Sequence, residues 1–312
     1  MTLKLLSTGS YLPEKIVSNE LLPTSLNTTH EWIYSRTGIC QRHISAEHET
    51  CHFMALQASH AAIAAADLSP DQIDLIIVAS TTQEQRLPSL ACYLQGSLKR
   101  KNIPAFDVQA VCAGFVYALE LASAMSIKYG NILVVGAERM SRIIDWTDRS
   151  TCTLFGDGAG AVVVKRDTHN QNLLDSIIYA DGSMTSILCT TDSIDNKQIL
   201  TMSGQEVFKH GVQKMSDVAK EILAKNHLSI DDISFCIPHQ ANIRIIDAIA
   251  QKLQISNDKM VCAIHMHANC SAASIPLALD YLFKTNRPKS NELIMTLGLG
   301  AGLAWGANLL YC

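Results

Sequence analysis

Short unbroken apolar runs alternate along this chain with longer stretches whose apolar residues recur at helical spacing. DLIIVAS (74–80) and NILVVGA (131–137) are continuous apolar runs, as in strands covered on both faces. FMALQASHAAIAAAD (53–67), LACYLQGSLKR (90–100) and CAGFVYALELASAMSIKYG (112–130) read as helices, and AFDVQ (105–109) as a further strand. This order predicts α/β layers on central, mostly parallel strands. The plan then repeats. ADLSPDQIDLIIVAS (66–80) matches NHLSIDDISFCIPHQ (226–240), and GNILVVGA (130–137) lies over SNELIMTL (290–297), both at an offset of 160. AVCAGFVYALE (110–120) lies over ANCSAASIPLALD (268–280) at 158. Three blocks in one order predict a duplicated domain with a boundary near the hydrophilic KRDTHNQN (165–172), hence halves 1–167 and 168–312. A site is expected at their junction.

Composition narrows the class. The 312 residues are 48% apolar, 17% charged and 6% aromatic, which excludes a disordered chain. A net charge of −4 without a basic stripe argues against a nucleic-acid partner. The opening MTLKLLSTGSYLPEK lacks the apolar core of a signal peptide, and no apolar run approaches the roughly 20 residues of a membrane span. Ten cysteines without a C-x-x-C pair read as small buried hydrophobes in a reducing cytoplasm.

Several strings invite a chemical reading. FGDGAGAVVV (155–164) and LGLGAGLAWG (297–306) are glycine-rich, but each runs into β-prone sequence, not into the helix a phosphate loop needs; both are expected to be tight turns between strands. Cys40, His43, His48, Cys51 and His52 lack the paired spacing of a zinc site, and His265 and His267, set across one expected strand face, lack a third ligand. No metal is expected. Cys112 follows a strand and opens a helix, where the dipole and free amides favour a thiolate; a buried structural cysteine is the alternative. His239, in FCIPHQAN, stands at a strand end before a helix, where α/β proteins bind ligands and where a satisfied structural histidine also occurs. Asn269 has the residue type of a helix cap. In the repeat, Asn269–Cys270 overlays Val111–Cys112, so Cys112, His239 and Asn269 are expected to converge. A thiolate, an imidazole and an amide suit acyl transfer.

Longer blocks resemble one family. EWIYSRTGI (31–39), VCAGFVYAL (111–119), DWTDRSTCTLFGDGAGAVV (145–163), MSGQEVFK (202–209), IPHQANIRII (237–246) and ANCSAASIPLALD (268–280) are similar, in order, to the blocks of β-ketoacyl-acyl-carrier-protein synthase III. The resemblance implies a thiolase-like fold, two halves stacked as αβαβα layers. It implies a homodimer that joins an acyl-CoA primer to malonyl-carrier protein, with no cofactor beyond the CoA thioester, itself a substrate. Cys112 would carry the acyl group, His239 and Asn269 would polarise the malonyl thioester, and the amides of Cys112 and Ala301 would form a second oxyanion site. Trp32 and Arg149 would sandwich the adenine of CoA, with Arg36 near its phosphates and Gly204 and Asn242 along the pantetheine tunnel. Arg244, Lys209 and Lys220 would dock the acidic carrier, though a solvated face explains the lysines equally. The resemblance puts Leu87, Met140 and Phe155 at the acyl pocket, Leu87 from across a dimer interface. Ala268 and Ala301 stand where the family usually has glycine. A same-fold acyltransferase of secondary metabolism with another acceptor is the nearest rival, and a cysteine hydrolase using Cys112 and His239 a more distant one.

Overall fold

The computed structural model describes residues 2–167, 175–192 and 198–311. In chain order the first half supplies β1 (Thr2–Tyr11), β2 (Ile16–Ser18), α1 (His30–Thr37), β3 (Gln41–His43), α2 (Cys51–Ala65) and β4 (Leu75–Ala79). It continues with α3 (Leu90–Ser97), β5 (Ala105–Val108), α4 (Gly114–Met125), β6 (Asn131–Arg139), α5 (Arg149–Cys152) and β7 (Asp157–Asp167). The second half supplies β8 (Ser176–Ala180), β9 (Leu188–Asp192), β10 (Gln198–Met202), α6 (Gly204–Lys225), β11 (Phe235–Pro238) and α7 (Ile243–Leu253). It ends with α8 (Ile264–His267), α9 (Ser274–Thr285), β12 (Leu293–Gly300) and β13 (Ala304–Tyr311). The expected boundary at 165–172 begins at the end of β7; residues 168–174 lie outside those described.

The sheet topology carries the duplication. Strands run β1-β7-β6-β4-β5 in one half and β8-β13-β12-β11 in the other, and the two sheets meet through the parallel pair Lys4–Tyr311. In each half an antiparallel pair is followed by parallel strands: β6 and β4 match β12 and β11. The counterpart of β5 shrinks to one bridge, Cys236 to Met260. Both β4 and β12 are buried along their whole length, which is why they read as unbroken apolar runs. Helices α4 and α9 form the middle layer, and Phe115, Val116, Leu119, Ile275 and Leu279 fill it. Helices α2 and α3 cover one outer face, α6 and α7 the other. The result is the expected five-layer αβαβα sandwich. Among the described residues no helix is long and apolar enough to cross a membrane.

Four local expectations need correction. The helix expected over 112–130 is a 3-10 turn, Val111–Ala113, followed by α4, which stops at Met125. Val111 has φ 49°, which breaks the helical path at the start, and the Ser126 hydroxyl bonds back to the Ser123 carbonyl at the end. The 158-residue overlay also shifts. The 3-10 turn Ser271–Ala273 precedes α9 as Val111–Ala113 precedes α4, with left-handed φ at Val111 (49°) and at Ser271 (47°). The structural offset is therefore 160 throughout, and Cys112 pairs with Ala272, not with Cys270; the shared Ala-x-Cys letters pulled the alignment two residues out. The string FGDGAG lies mainly inside β7, not in a turn. Gly136 and Gly160 are cross-strand partners on β6 and β7, and side chains there would strike the backbone of Ala272 and Pro276. Glycine lets the middle layer sit directly on the sheet. Finally, His265 and His267 lie on the short helix α8, not on a strand.

Candidate active site

Each key side chain sits in a turn just ahead of a helix. Cys112 occupies the 3-10 turn after β5, His239 follows β11, and Asn269 lies in the turn before α9. All three are buried, and all three line one cavity of about 490 Å³. Backbone bonds fix them: the His239 amide donates to the Leu297 carbonyl (2.7 Å), and the Asn269 amide to Leu154 (2.9 Å). Asn269 Oδ1 accepts from the Ser271 amide (2.8 Å), but the cap positions of the 3-10 turn and of α9 are Cys270 and Ala273, so the asparagine stands one residue ahead of the capping place expected for it. Ala268, just before it, has φ 57° and ψ −160°, a conformation that favours the glycine usual in the family.

Electrostatics departs from the expected thiolate. Burial pushes the Cys112 thiol up to about 12, although the Ser271 hydrogen bond pulls the other way. The 3-10 start of the helix does not outweigh loss of water. Burial holds the His239 imidazole down at about 4, so it is neutral near pH 7, and among the described residues its Nδ1 has no hydrogen-bond partner. A neutral imidazole and an amide can both donate to a developing oxyanion.

The cavity mouth carries most of the remaining candidates. Trp32, Arg36, Arg149, Gly204, Asn242, Arg244 and Phe155 all line it. Thr29 caps α1 by accepting from the Trp32 amide, and Arg36 follows one turn later on the same side, its Cζ 4.4 Å from the indole centroid. Arg149 stands over the same indole at 5.0 Å. A planar ring between them would need about 7 Å, two contact distances, so Arg149 must turn aside for an adenine to enter. Asn242 caps α7, accepting from the Arg244 amide (2.9 Å), and Gly204 opens α6. Lys209 and Lys220 are exposed on α6, outside the cavity lining. Leu188, Met202, Phe208, Met215 and Leu299 also line the cavity, contacts no local sequence pattern signals.

The acyl-pocket group divides. Phe155 lines the main cavity, whereas Leu87 and Met140 line a second one of about 750 Å³. Val111 and Ala301 belong to that second wall, which thus backs onto the Cys112 turn. A side chain at Gly300 would come within 2.8 Å of the Cys112 amide nitrogen, so the 300–302 turn packs against that amide.

The expected polar loop around Cys40 spends its groups separately. The Cys40 amide donates to the His265 carbonyl (3.0 Å), His43 Nδ1 donates to the Pro13 carbonyl (2.6 Å), and His52 Nε2 bonds Ser97 (2.9 Å). Among the described residues no three His, Cys, Asp or Glu side chains are placed to hold a metal ion. His267 is held at about 4 by burial first, then by His43 and His265, with Asp280 and Lys284 also facing it. Since His239 and His267 both titrate below their ordinary 6.5, the unfolded chain binds more protons between about 4 and 6.5. Their contribution is whole above pH 6.5 and is lost as pH falls toward 4. His267→Gln should therefore lessen the loss of stability between pH 7 and pH 5 by about 2 kcal/mol, read from urea midpoints at the two pH values.

Comparison with known proteins identifies the family. The family model of 3-oxoacyl-[acyl-carrier-protein (ACP)] synthase III matches residues 106–182, and the model of its C-terminal part matches residues 223–312. A β-ketoacyl-[acyl-carrier-protein] synthase III of Wolbachia pipientis is 49% identical, over 98% of either chain. The crystal structure of 3-oxoacyl-[acyl-carrier-protein] synthase III from Aquifex aeolicus is 45% identical and superposes with a TM-score of 0.94, covering 99% of this chain and 100% of that one. A priming β-ketosynthase of a polyketide pathway is 34% identical with a TM-score of 0.94, covering 99% and 96%. With both halves matched and near-half identity along the full length, the chain belongs to the 3-oxoacyl-[acyl-carrier-protein] synthase III family.

Proposed function

We propose that this protein starts fatty-acid synthesis by condensing an acyl-CoA primer with malonyl-carrier protein. Cys112 attacks the primer thioester and holds the acyl group while CoA leaves. Malonyl-carrier protein then enters the same cavity, and His239 and Asn269 donate to its thioester carbonyl. Loss of CO2 leaves an enolate held by those two donors, and its carbon attacks the acyl-cysteine to give the β-ketoacyl product. Neutral donors suit this step, because a cation would also hold the carboxylate that must depart. The amides of Cys112 and Ala301 serve the oxyanion of the acyl-cysteine. The observation that carries the reading is the single cavity shared by Cys112, His239 and Asn269.

Trp32, Arg36 and Arg149 at the mouth suit an adenine and phosphates through stacking and charge, and Gly204 and Asn242 line the way in for pantetheine. Arg244, with Lys209 and Lys220 on α6, offers positive charge to an acidic carrier. A homodimer of two-halved chains (1–167 and 168–312) is the assembly we favour. Leu87 is 84% exposed, and β5 is an edge strand whose Phe106 and Val108 are only partly buried, as a surface awaiting a second copy would be. The nine described cysteines are all free thiols, in keeping with the cytoplasm.

Intact-mass spectrometry after incubation with acetyl-, butyryl- and longer acyl-CoAs should show one acyl adduct, located at Cys112. Its mass reports the primer accepted. Adding malonyl-carrier protein should discharge the adduct as β-ketoacyl product, whereas malonyl-CoA should not. The likeness to a polyketide priming ketosynthase favours one second reading, priming of a specialised carrier. Discharge by such a carrier alone would decide for it, and loss of the adduct to water would decide for a hydrolase.

A further inference from the structure

We propose that Ser271 and Glu138 form a proton relay behind Cys112, drawing off the thiol proton as the acyl thioester is attacked. This rests on the reading of Cys112 as the acylated nucleophile. Cys112 Sγ donates to Ser271 Oγ (3.3 Å), and Ser271 Oγ lies 3.3 Å from Glu138 Oε1, to which it donates in turn. Among the described residues Ser271 is the hydrogen-bond partner of that sulfur, and the chain from thiol to carboxylate is buried throughout. The duplication builds it. Ser271 stands at the pseudo-equivalent of Val111, and the two left-handed turns pack together, so one half presents a hydroxyl to the thiol of the other. Strained backbone at a non-glycine residue persists where the surroundings enforce it, often at functional sites.

Burial and hydrogen bonding pull Glu138 in opposite directions, and burial is the larger effect. Glu138 accepts from the Thr81 amide and hydroxyl and from the Thr82 amide and hydroxyl, as well as from Ser271, and every one of these donors is neutral. Burial raises its carboxyl, so a proton is taken up more readily than by an exposed glutamate. Its nearest cationic neighbour in sequence, Arg139, is spent on Glu84 (3.0 Å) and Ser45 (2.8 Å). The other ionisable groups facing the relay are Cys51 on α2 and Cys270 beside Ser271, with Asp157, at the start of β7, near those two thiols. Across the cavity stand His239 and, toward the mouth, Arg36, Arg149 and Arg244. His239 is a poor base at about 4, whereas the relay ends on a carboxylate.

The step balances. As the thiol sulfur forms its bond to the acyl carbon, its proton passes to Ser271 Oγ, and the Ser271 proton passes to Glu138 Oε1. The tetrahedral adduct then expels CoA as a thiolate. Glu138 Oε1 returns its proton to Ser271 Oγ, and the Ser271 hydroxyl passes its own to the CoA sulfur, which leaves the same carbon that Cys112 Sγ now holds. CoA thiol, acyl-cysteine and the Glu138 carboxylate remain.

The test is the pH dependence of Cys112 acylation by acetyl-CoA, followed by intact mass in single-turnover mixing from about pH 6 to about pH 10. The unchanged protein should acylate at a rate nearly flat around neutrality. Ser271→Ala and Glu138→Gln should each be about 10²-fold slower at pH 7 and should regain the rate as pH rises, because hydroxide replaces the relay. Ser271→Gly, which relaxes the left-handed φ of 47° and also lacks the hydroxyl, should show the same slow, pH-recovered profile as Ser271→Ala. A loss equal at every pH would mark a structural role and overturn the relay, as would a Ser271→Ala profile matching the unchanged protein. Should Glu138→Gln fail to fold, the Ser271 pair decides alone. An unchanged protein that takes up no acyl group would instead overturn the reading of Cys112, and the relay with it.

Discussion

Cys112→Ser should abolish acyl-adduct formation from acyl-CoA, because among the described residues lining the cavity no other is a thiol. His239→Ala and Asn269→Ala should part company with it: each keeps self-acylation and loses about 10²–10³-fold in condensation with malonyl-carrier protein. The separation follows from where charge develops. Acylation puts the oxyanion on the carbonyl joined to the Cys112 sulfur, whereas decarboxylation puts it on the malonyl thioester, for which the imidazole and the amide are assigned. Intact-mass measurement reads the first step, and release of labelled CO2 reads the second. Failure of both alanine variants to load acyl-CoA would refute the division of roles. Because His239 titrates at about 4, its donor role should hold unchanged from pH 6 to pH 8.

Gly136→Ala should be among the most damaging single methyl additions in the molecule. The added carbon would sit 2.4 Å from the Ala272 carbonyl oxygen and 3.1 Å from the Ala273 Cα, both backbone atoms of the turn that carries Ser271. Backbone cannot rotate away as a side chain does, so β6 and that turn must separate. A cost of about 3 kcal/mol is expected, lowering the melting temperature by roughly 4–6 °C. The same shift moves Ser271 off Cys112, so acylation should slow even in the fraction that stays folded. Gly96→Ala is the control: a Cβ there meets nothing within 4 Å, and calorimetry should find it neutral or slightly stabilising.

Some features were legible as letters because they are local or repeated. Strands buried on both faces must be unbroken apolar runs, so β4, β6 and β12 announced themselves. Duplication left matching blocks in the sequence, and those blocks, with the strand end before His239, led Cys112, His239 and Asn269 to be expected in one pocket before any coordinates. Other features were not legible. Gly158 and Gly160 looked like a turn because a glycine that admits a neighbouring backbone is indistinguishable, in sequence, from one that turns the chain. Ser271 and Glu138 are 133 residues apart, and no spacing rule links them.

The sequence by itself determined the alternation of strands and helices, the repeat and the three residue types the chemistry requires, since each follows from hydrophobic period, from homology between halves or from side-chain functional groups. Tertiary structure alone decided the ionisation of those groups, the two-residue register of the repeat and the division of Phe155 from Leu87 and Met140 between two cavities. Burial depends on what packs from distant parts of the chain, and removal of water governs the Cys112 thiol more strongly than the helix start that the local sequence foretells.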